Sequence, residues 1–460
     1  MSEQSKARIR VVAVLAALIV ALPGSFAAAQ KIAFERYTLD NGLTVILHED
    51  HRLPRVAVNL WYYVGSKDEP KGRSGFAHLF EHLMFMGTKN VPIGQFDNIM
   101  EGAGGSNNAT TSSDRTNYFE SGPRELLELF LFLEADRMTG LSQAMTLEKL
   151  NTQRGVVRNE RRQSYENRPY GQLWLEIPAL IYPAGHPYHH PVIGSHTDLE
   201  NATVSDVIDF FDSFYFPANA SLAIAGDFDP GEARALVKKY FGSIPRRKKI
   251  SRGKPPPPTI EGTLRKTLTD AVELPLACFV WHAPAFYSEG DADMDIIANA
   301  LAGGKSSRLY RRLVYDKKLA QDVSAYQSSS LLGSKFIIQV FALPGADTKE
   351  NLERLGAIER EVDAVVAELQ EDGVTGREIG RARNSTESAF WSDLESLEEK
   401  ADLLNRYLFH FGNPGAIERD LGRYSKITAG STSAWAKKVL KPNGRLILHV
   451  LPEEKKGGQP

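Results

Sequence analysis

Cysteine is almost absent. Cys278 is the only one in 460 residues, so no disulfide can form within the chain. That excludes a small disulfide-framed scaffold and leaves stability to hydrophobic cores, of which a chain this long can build two. Charge of one sign is also lacking: 55 Lys and Arg stand against 57 Asp and Glu, with no basic stripe. Such a chain is not expected to bind nucleic acid. Long apolar runs are confined to the start. Lys6, Arg8 and Arg10 precede an apolar run over 11–22, and Ala27-Ala28-Ala29 precedes Gln30. Basic residues, a short apolar stretch and an A-x-A site read as a signal peptide over residues 1–29. The apolar run is short for a bilayer span and Pro23-Gly24 follows it at once, which leaves an uncleaved anchor as the alternative. The expectation is an exported protein, periplasmic in a Gram-negative host, with no stable membrane span after cleavage. Loss of the three basic residues and Glu3 would take the formal charge from −2 to about −4.

Histidine is scarce too, at 11 residues, yet two of them flank a carboxylate in His78-Leu79-Phe80-Glu81-His82. The run from Ser74 to Gly87 predicts a short, mostly buried helix, with Ser74 as N-cap and Gly87 as its stop. Positions i and i+4 share a helix face, so His78 and His82 can hold one ion while Glu81 stands beside it. This is the inverted zinc-peptidase order, H-x-x-E-H. Two core histidines on an apolar helix are the plainer alternative, and the motif by itself lacks a third ligand.

A second helix is predicted from Thr146 to Tyr165, capped by Thr146 and ended before Arg168-Pro169. Glu160 lies on it, far downstream of His82. Two His and one carboxylate, with a fourth position open to water, make a known catalytic zinc set. Gln153, two turns before Glu160 on the same face, is placed to hold a ligating imidazole. Because Arg158, Arg161 and Arg162 surround Glu160, a solvated carboxylate in a charged run is the other reading.

Four prolines, Pro255 to Pro258, follow a charged run and predict a stiff linker over 248–262. The halves on either side, 30–247 and 263–453, repeat one another in outline. Strand-like runs surround Val58 in the first and Cys278 in the second, and closing strands follow Asn219 and Asn443. The separation from Val58 to Cys278 nearly equals that from Asn219 to Asn443. Either two strand signals coincide, or the fold is α+β with two homologous domains of one topology, each a sheet packed against helices. The second half has no H-x-x-E-H, and its counterpart helix over 294–302 carries no His. Residues 454–460 are polar and expected to be disordered. His186, His189, His190 and His196 crowd a proline-rich loop without the spacing of a defined metal site.

The stretches GFAHLFEHLMFMGT (75–88), GGSNNATTSSDRTNYF (104–119) and RGVVRNE (154–160) together resemble the pitrilysin/insulinase family of zinc peptidases, which includes the mitochondrial processing peptidase and its bacterial relatives. The resemblance implies that His78, His82 and Glu160 bind one zinc per chain and that Glu81 is the catalytic base. It implies that Asn108 and Ala109 lie on a strand that takes substrate as an added strand. One departure is Gln153, where the family often has Glu. The family builds a clamshell from two such halves, and stabilises the tetrahedral intermediate with an Arg and a Tyr seven residues apart. Laid over Ser307–Val323, that pattern meets Val314 and Gln321; Arg308 and Tyr315 have the spacing but sit six residues early. The implied protein is therefore a metalloendopeptidase of extended or unfolded peptides. It would be the catalytic half of a heterodimer whose paralogous partner lacks H-x-x-E-H and supplies Arg and Tyr. A non-catalytic structural or peptide-binding member of the same fold is the alternative.

Overall fold

Eleven strands form two sheets among the residues that the computed structural model describes, which are 32–247, 252–253 and 255–453. The expected signal peptide, Lys248 to Ser251 and Lys254 of the linker, and the 454–460 tail lie outside the described residues. From Phe34 onward the chain forms one unit. The first sheet holds β1 (Glu35–Thr38), β2 (Thr44–Glu49), β3 (Arg55–Tyr62), β4 (Ser106–Thr111), β5 (Thr116–Pro123) and β6 (Ala220–Gly226). The second holds β7 (Thr263–Asp270), β8 (Leu276–Ala283), β9 (Ala320–Ser328), β10 (Ser334–Ala342) and β11 (Arg445–Pro452).

The strand orders are β1-β2-β6-β3-β5-β4 and β7-β11-β8-β10-β9. Without β1 the two are one topology. β2 pairs parallel with β6, as β7 does with β11, and every other neighbour is antiparallel. The registers agree as well. Val58 faces Ile224 on one side and Glu120 on the other; Cys278 faces Leu448 and Gln339. The near-equal separations read from the sequence therefore connect positions that occupy equal places in the two ladders. The central strands are buried on both faces. β6 has no exposed residue and β8 is buried from Leu276 to Trp281, which explains their continuous apolar sequence.

The halves do not cover their own sheets alone. Helix Gly171–Ile181 belongs to the first half, yet Leu173, Ile177 and Ile181 share a core with Leu276, Cys278, Val280 and Leu448 of the second sheet. Helix Leu397–Phe411 makes the reverse exchange. Asn405 donates to the Asn59 carbonyl at 2.8 Å and accepts from Ser221 Oγ at 2.7 Å, and Trp61 Nε1 donates to Asp402 at 2.9 Å. Within the first half, Arg137 of helix Leu127–Ala144 is buried between Glu134 and Glu120, its guanidinium against the Phe96 and Tyr118 rings. A charge held this deeply fixes one register of helix on sheet, because a slip would leave carboxylates buried and unpaired.

A comparable pair ties the second half together. Arg308 donates twice to Glu378, at 2.9 and 2.7 Å, and once to the Gly373 carbonyl at 2.9 Å. Burial raises the Glu378 pKa, but Arg308 and the Thr375 cap outweigh it and hold the carboxyl down at about 2. A carboxylate depressed in the fold stabilises fully above its unfolded value near 4.5, and loses that contribution as pH falls through about 2. Arg308→Met should therefore cost roughly 1–2 kcal/mol at neutral pH, after screening by solvent, and the difference from wild type should close between pH 4.5 and 2. Urea unfolding of both proteins across that range measures it. A pH-independent difference would count against the pair.

Candidate metal centre

The helix that carries the motif runs from Phe76 to Leu83 and buries Phe76, Ala77, Leu79, Phe80 and Leu83. Burying that face turns His78, Glu81 and His82 away from the core. Its cap differs from the expected one. Ser74 N–H and O–H both donate to Asp198, at 3.0 and 2.5 Å, and Gly75 is the N-cap with φ +91°. The free amides at the helix start, Gly75 and Ala77, donate to the buried Glu69 carboxylate at 2.9 and 2.8 Å. A side chain at Gly75 would meet the Ile193 carbonyl at 2.8 Å, so the close crossing of the 193–194 backbone requires glycine there. Gly87 has φ +74° but lies past the helix end, after a turn through Met84 to Met86.

The second helix spans Leu147–Arg161 with Thr146 accepting from Lys149 N–H, and a wider π turn continues it over Arg162–Glu166. It brings Glu160 to both imidazoles. Glu160 Oε2 lies 3.3 Å from His82 Nε2 and 3.6 Å from His78 Nε2, and the two rings stand nearly perpendicular at 4.8 Å. All three potential ligand atoms fall within 4.8 Å of one another, and among the described residues no other His, Cys, Asp and Glu group does so. The chemistry of this donor set suits a divalent metal. Burial pushes His78 down to about 4, which keeps its ring neutral and its lone pair free, while the bond to His82 holds Glu160 low and ionised. Neutral imidazoles and an anionic carboxylate are the forms that ligate.

Glu81 stands on the same helix and is not part of the trio. Burial raises its pKa, against the opposing hydrogen bond that Thr111 Oγ1 donates to Glu81 Oε2. Sequence reasoning missed Thr111. Its signal was alternation: Thr111 shares a face of β4 with Ala109, and that face looks onto the motif helix. Ala109 is buried opposite Tyr118, whereas Asn108 is exposed. β4 closes one edge of its sheet, and the Ala109 N–H is taken by the side chain of Asn108 at 2.8 Å.

One expectation changes. Gln153 does not hold an imidazole: its amide nitrogen lies 2.7 Å from Met86 Sδ, and His78 Nδ1 is buried without a hydrogen-bond partner. Gln153 meets instead the turn that follows the motif helix, where Met86 is its partner. The histidine-rich loop is dispersed. His189 meets the Tyr182 carbonyl, His190 the Glu69 carboxylate, and His196 Glu166, so no two of these converge on one point. Val314 packs against the second core and Gln321 is exposed on β9. Arg308 is occupied by Glu378, and Tyr315 is 52% exposed.

A duplicated α+β fold with an H-x-x-E-H helix facing a glutamate defines the class of inverted-motif metallopeptidases. The chain belongs to the insulinase family, peptidase family M16. The model "Insulinase (Peptidase family M16)" matches residues 44–176 and "Peptidase M16 inactive domain" matches 201–386. The zinc protease PqqE of Helicobacter pylori is 31% identical over 406 residues, covering 87% of this chain and 89% of that one. A solved protease structure from Helicobacter pylori superposes with a TM-score of 0.82 at 28% identity over 92% of this chain and all of that one. The periplasmic protease PqqL of Escherichia coli shares the fold, with a TM-score of 0.73 at 18% identity; 92% of this chain covers 48% of that longer one. No helix among the described residues is long and apolar enough to cross a membrane.

Proposed function

We propose that this chain is the catalytic subunit of an exported, zinc-dependent endopeptidase acting on extended peptides. The convergence of His78, His82 and Glu160, with Glu81 beside them, carries the reading. Those three residues would hold zinc, one per chain; when bound, zinc supplies Lewis acidity and lowers the pKa of water. Glu81 accepts a proton at its carboxylate and returns it to the leaving amine, while Thr111 fixes one carboxylate oxygen so that the other is free for transfer. Asn108 and Ala109 offer the open edge of β4 to the substrate backbone, with the Asn108 side chain swinging away to release the Ala109 N–H. Backbone pairing of this kind tolerates many sequences and demands an extended peptide.

A non-catalytic, peptide-binding role is the second reading, and the "inactive domain" match favours it. That match covers residues 201–386, however, and all four site residues lie in the segment matched by the insulinase model. Cleavage of quenched peptides by the purified protein, abolished by a chelator and restored by zinc, is the test. Binding without turnover, with any paralogous partner supplied, would leave the second reading standing.

Metal content checks the ligands. His78→Ala, His82→Ala and Glu160→Ala should each empty the site in metal analysis. Gln153→Ala, whose side chain reaches Met86 and not a ligand, should stay below the roughly 10- to 100-fold affinity loss typical of a ligand-orienting residue. Full occupancy of the His82 or Glu160 variant at substoichiometric zinc would show the ligand set to be wrong.

A further inference from the structure

A cavity of about 560 Å³ lies against the second sheet and takes no part in the chemistry above. Tyr326, Ser328, Lys335 and Ile337 line one side. Ser328 pairs with Lys335 and Tyr326 with Ile337 across β9 and β10, so these side chains share one face. Trp174 and Tyr188 close the other side. The cavity adjoins the metal centre at two points. Ser112 and Ser113 line it directly after Thr111, the partner of Glu81, and Tyr165 lines it one turn beyond Glu160.

Lys335 is the unusual member. Among the described residues its ammonium has neither a hydrogen bond nor an ion pair. Burial pushes its pKa down, with the Asp114 charge opposing. Asp114 keeps its charge but makes no contact with Lys335, its carboxylate accepting instead from Tyr188 O–H at 2.5 Å and Leu331 N–H at 2.8 Å. Among the described residues no carboxylate lines the cavity, and burial keeps His190, the other titratable base there, towards its neutral form. The result is one half-buried cation without a direct partner, set among hydroxyls and aromatic rings. A half-buried charge with no group in hydrogen-bonding contact is incompletely solvated, and a ligand carboxylate lying against it supplies that contact.

We propose that this cavity is a subsite for a carboxylate of the bound peptide, with Lys335 as its counter-ion and the aromatic walls taking an adjoining apolar group. The peptide as carrier rests on the endopeptidase reading; the carboxylate chemistry does not. Two sources present it, a free C-terminus and an Asp or Glu side chain.

Binding to the full chain, freed of metal so that no carboxylate is drawn to the metal centre, separates them without any turnover. Calorimetric titration compares N-acetyl-L-phenylalanine with its amide, and N-acetyl-L-isoglutamine with the N-acetyl-glutamine amide. A charged hydrogen bond in such a site should favour the acid by roughly 10- to 100-fold in one arm, and that arm names the source. Lys335→Met should erase the preference and Lys335→Arg retain part of it. Equal affinity of acid and amide in both arms overturns the proposal, as does a preference that Lys335→Met leaves intact. Should Lys335→Met not fold, the wild-type comparison decides alone. A peptidase assay on the same preparations, reloaded with zinc, reports separately on the endopeptidase reading.

Discussion

Glu81→Gln is expected to lower kcat/KM on a quenched peptide by about 10²–10⁴-fold while leaving zinc content and folding unchanged. The substitution keeps the size of the side chain and an oxygen able to accept from Thr111, so the position of the group is preserved. What it removes is the capacity to take a proton. Glu81 is not among the converging ligand atoms, so metal analysis should return one zinc per chain for the variant as for the wild type. This pairing of outcomes is diagnostic, because a ligand loses metal and activity together, whereas a base loses activity alone. Turnover within tenfold of wild type would sink the assignment of Glu81, and loss of zinc would move Glu81 into the ligand set.

The proximity of His78, Glu81 and His82 was legible because helix geometry converts spacing directly into proximity: His78 and His82 had to share a face wherever the helix went. Glu160 was legible only through resemblance, since nothing in the long stretch between His82 and Glu160 fixes how two helices approach. The same limit explains Gln153. Periodicity placed it on a face, but whether an imidazole or Met86 met it there depended on the turn after Leu83. Duplication was visible because strand registers preserve spacing, so that the step from Val58 to Cys278 nearly equals the step from Asn219 to Asn443. The exchange of helices Gly171–Ile181 and Leu397–Phe411 was not visible. Amphipathic periodicity says that a helix has an apolar face and is silent on which of two equivalent sheets receives it. Thr111 and Glu69 were missed for a related reason, as each acts on the motif helix from a neighbouring strand or loop.

The other large effect is expected from a second chain. Adding a paralogue that lacks H-x-x-E-H but carries the Arg and Tyr should raise kcat/KM by about a hundredfold over this chain alone. The chain covers 48% of the longer Escherichia coli neighbour whose fold it shares. This chain offers no such donors at the expected places. Val314 is packed into the second core and Gln321 is a neutral, exposed amide. The displaced candidates do not substitute, because Arg308 is committed to Glu378 and the Gly373 carbonyl. A tetrahedral oxyanion formed on the substrate carbonyl beside Glu81 would therefore lack, at those places, a charged and a phenolic donor, which the paralogue would contribute. Activity titrated against added paralogue should saturate at one to one, with a heterodimer in mass photometry, and changing the paralogue's Arg to Ala should remove most of the gain without dissociating it. A monomer or homodimer with full activity, indifferent to the paralogue, would place the missing donors within this chain and refute the pairing.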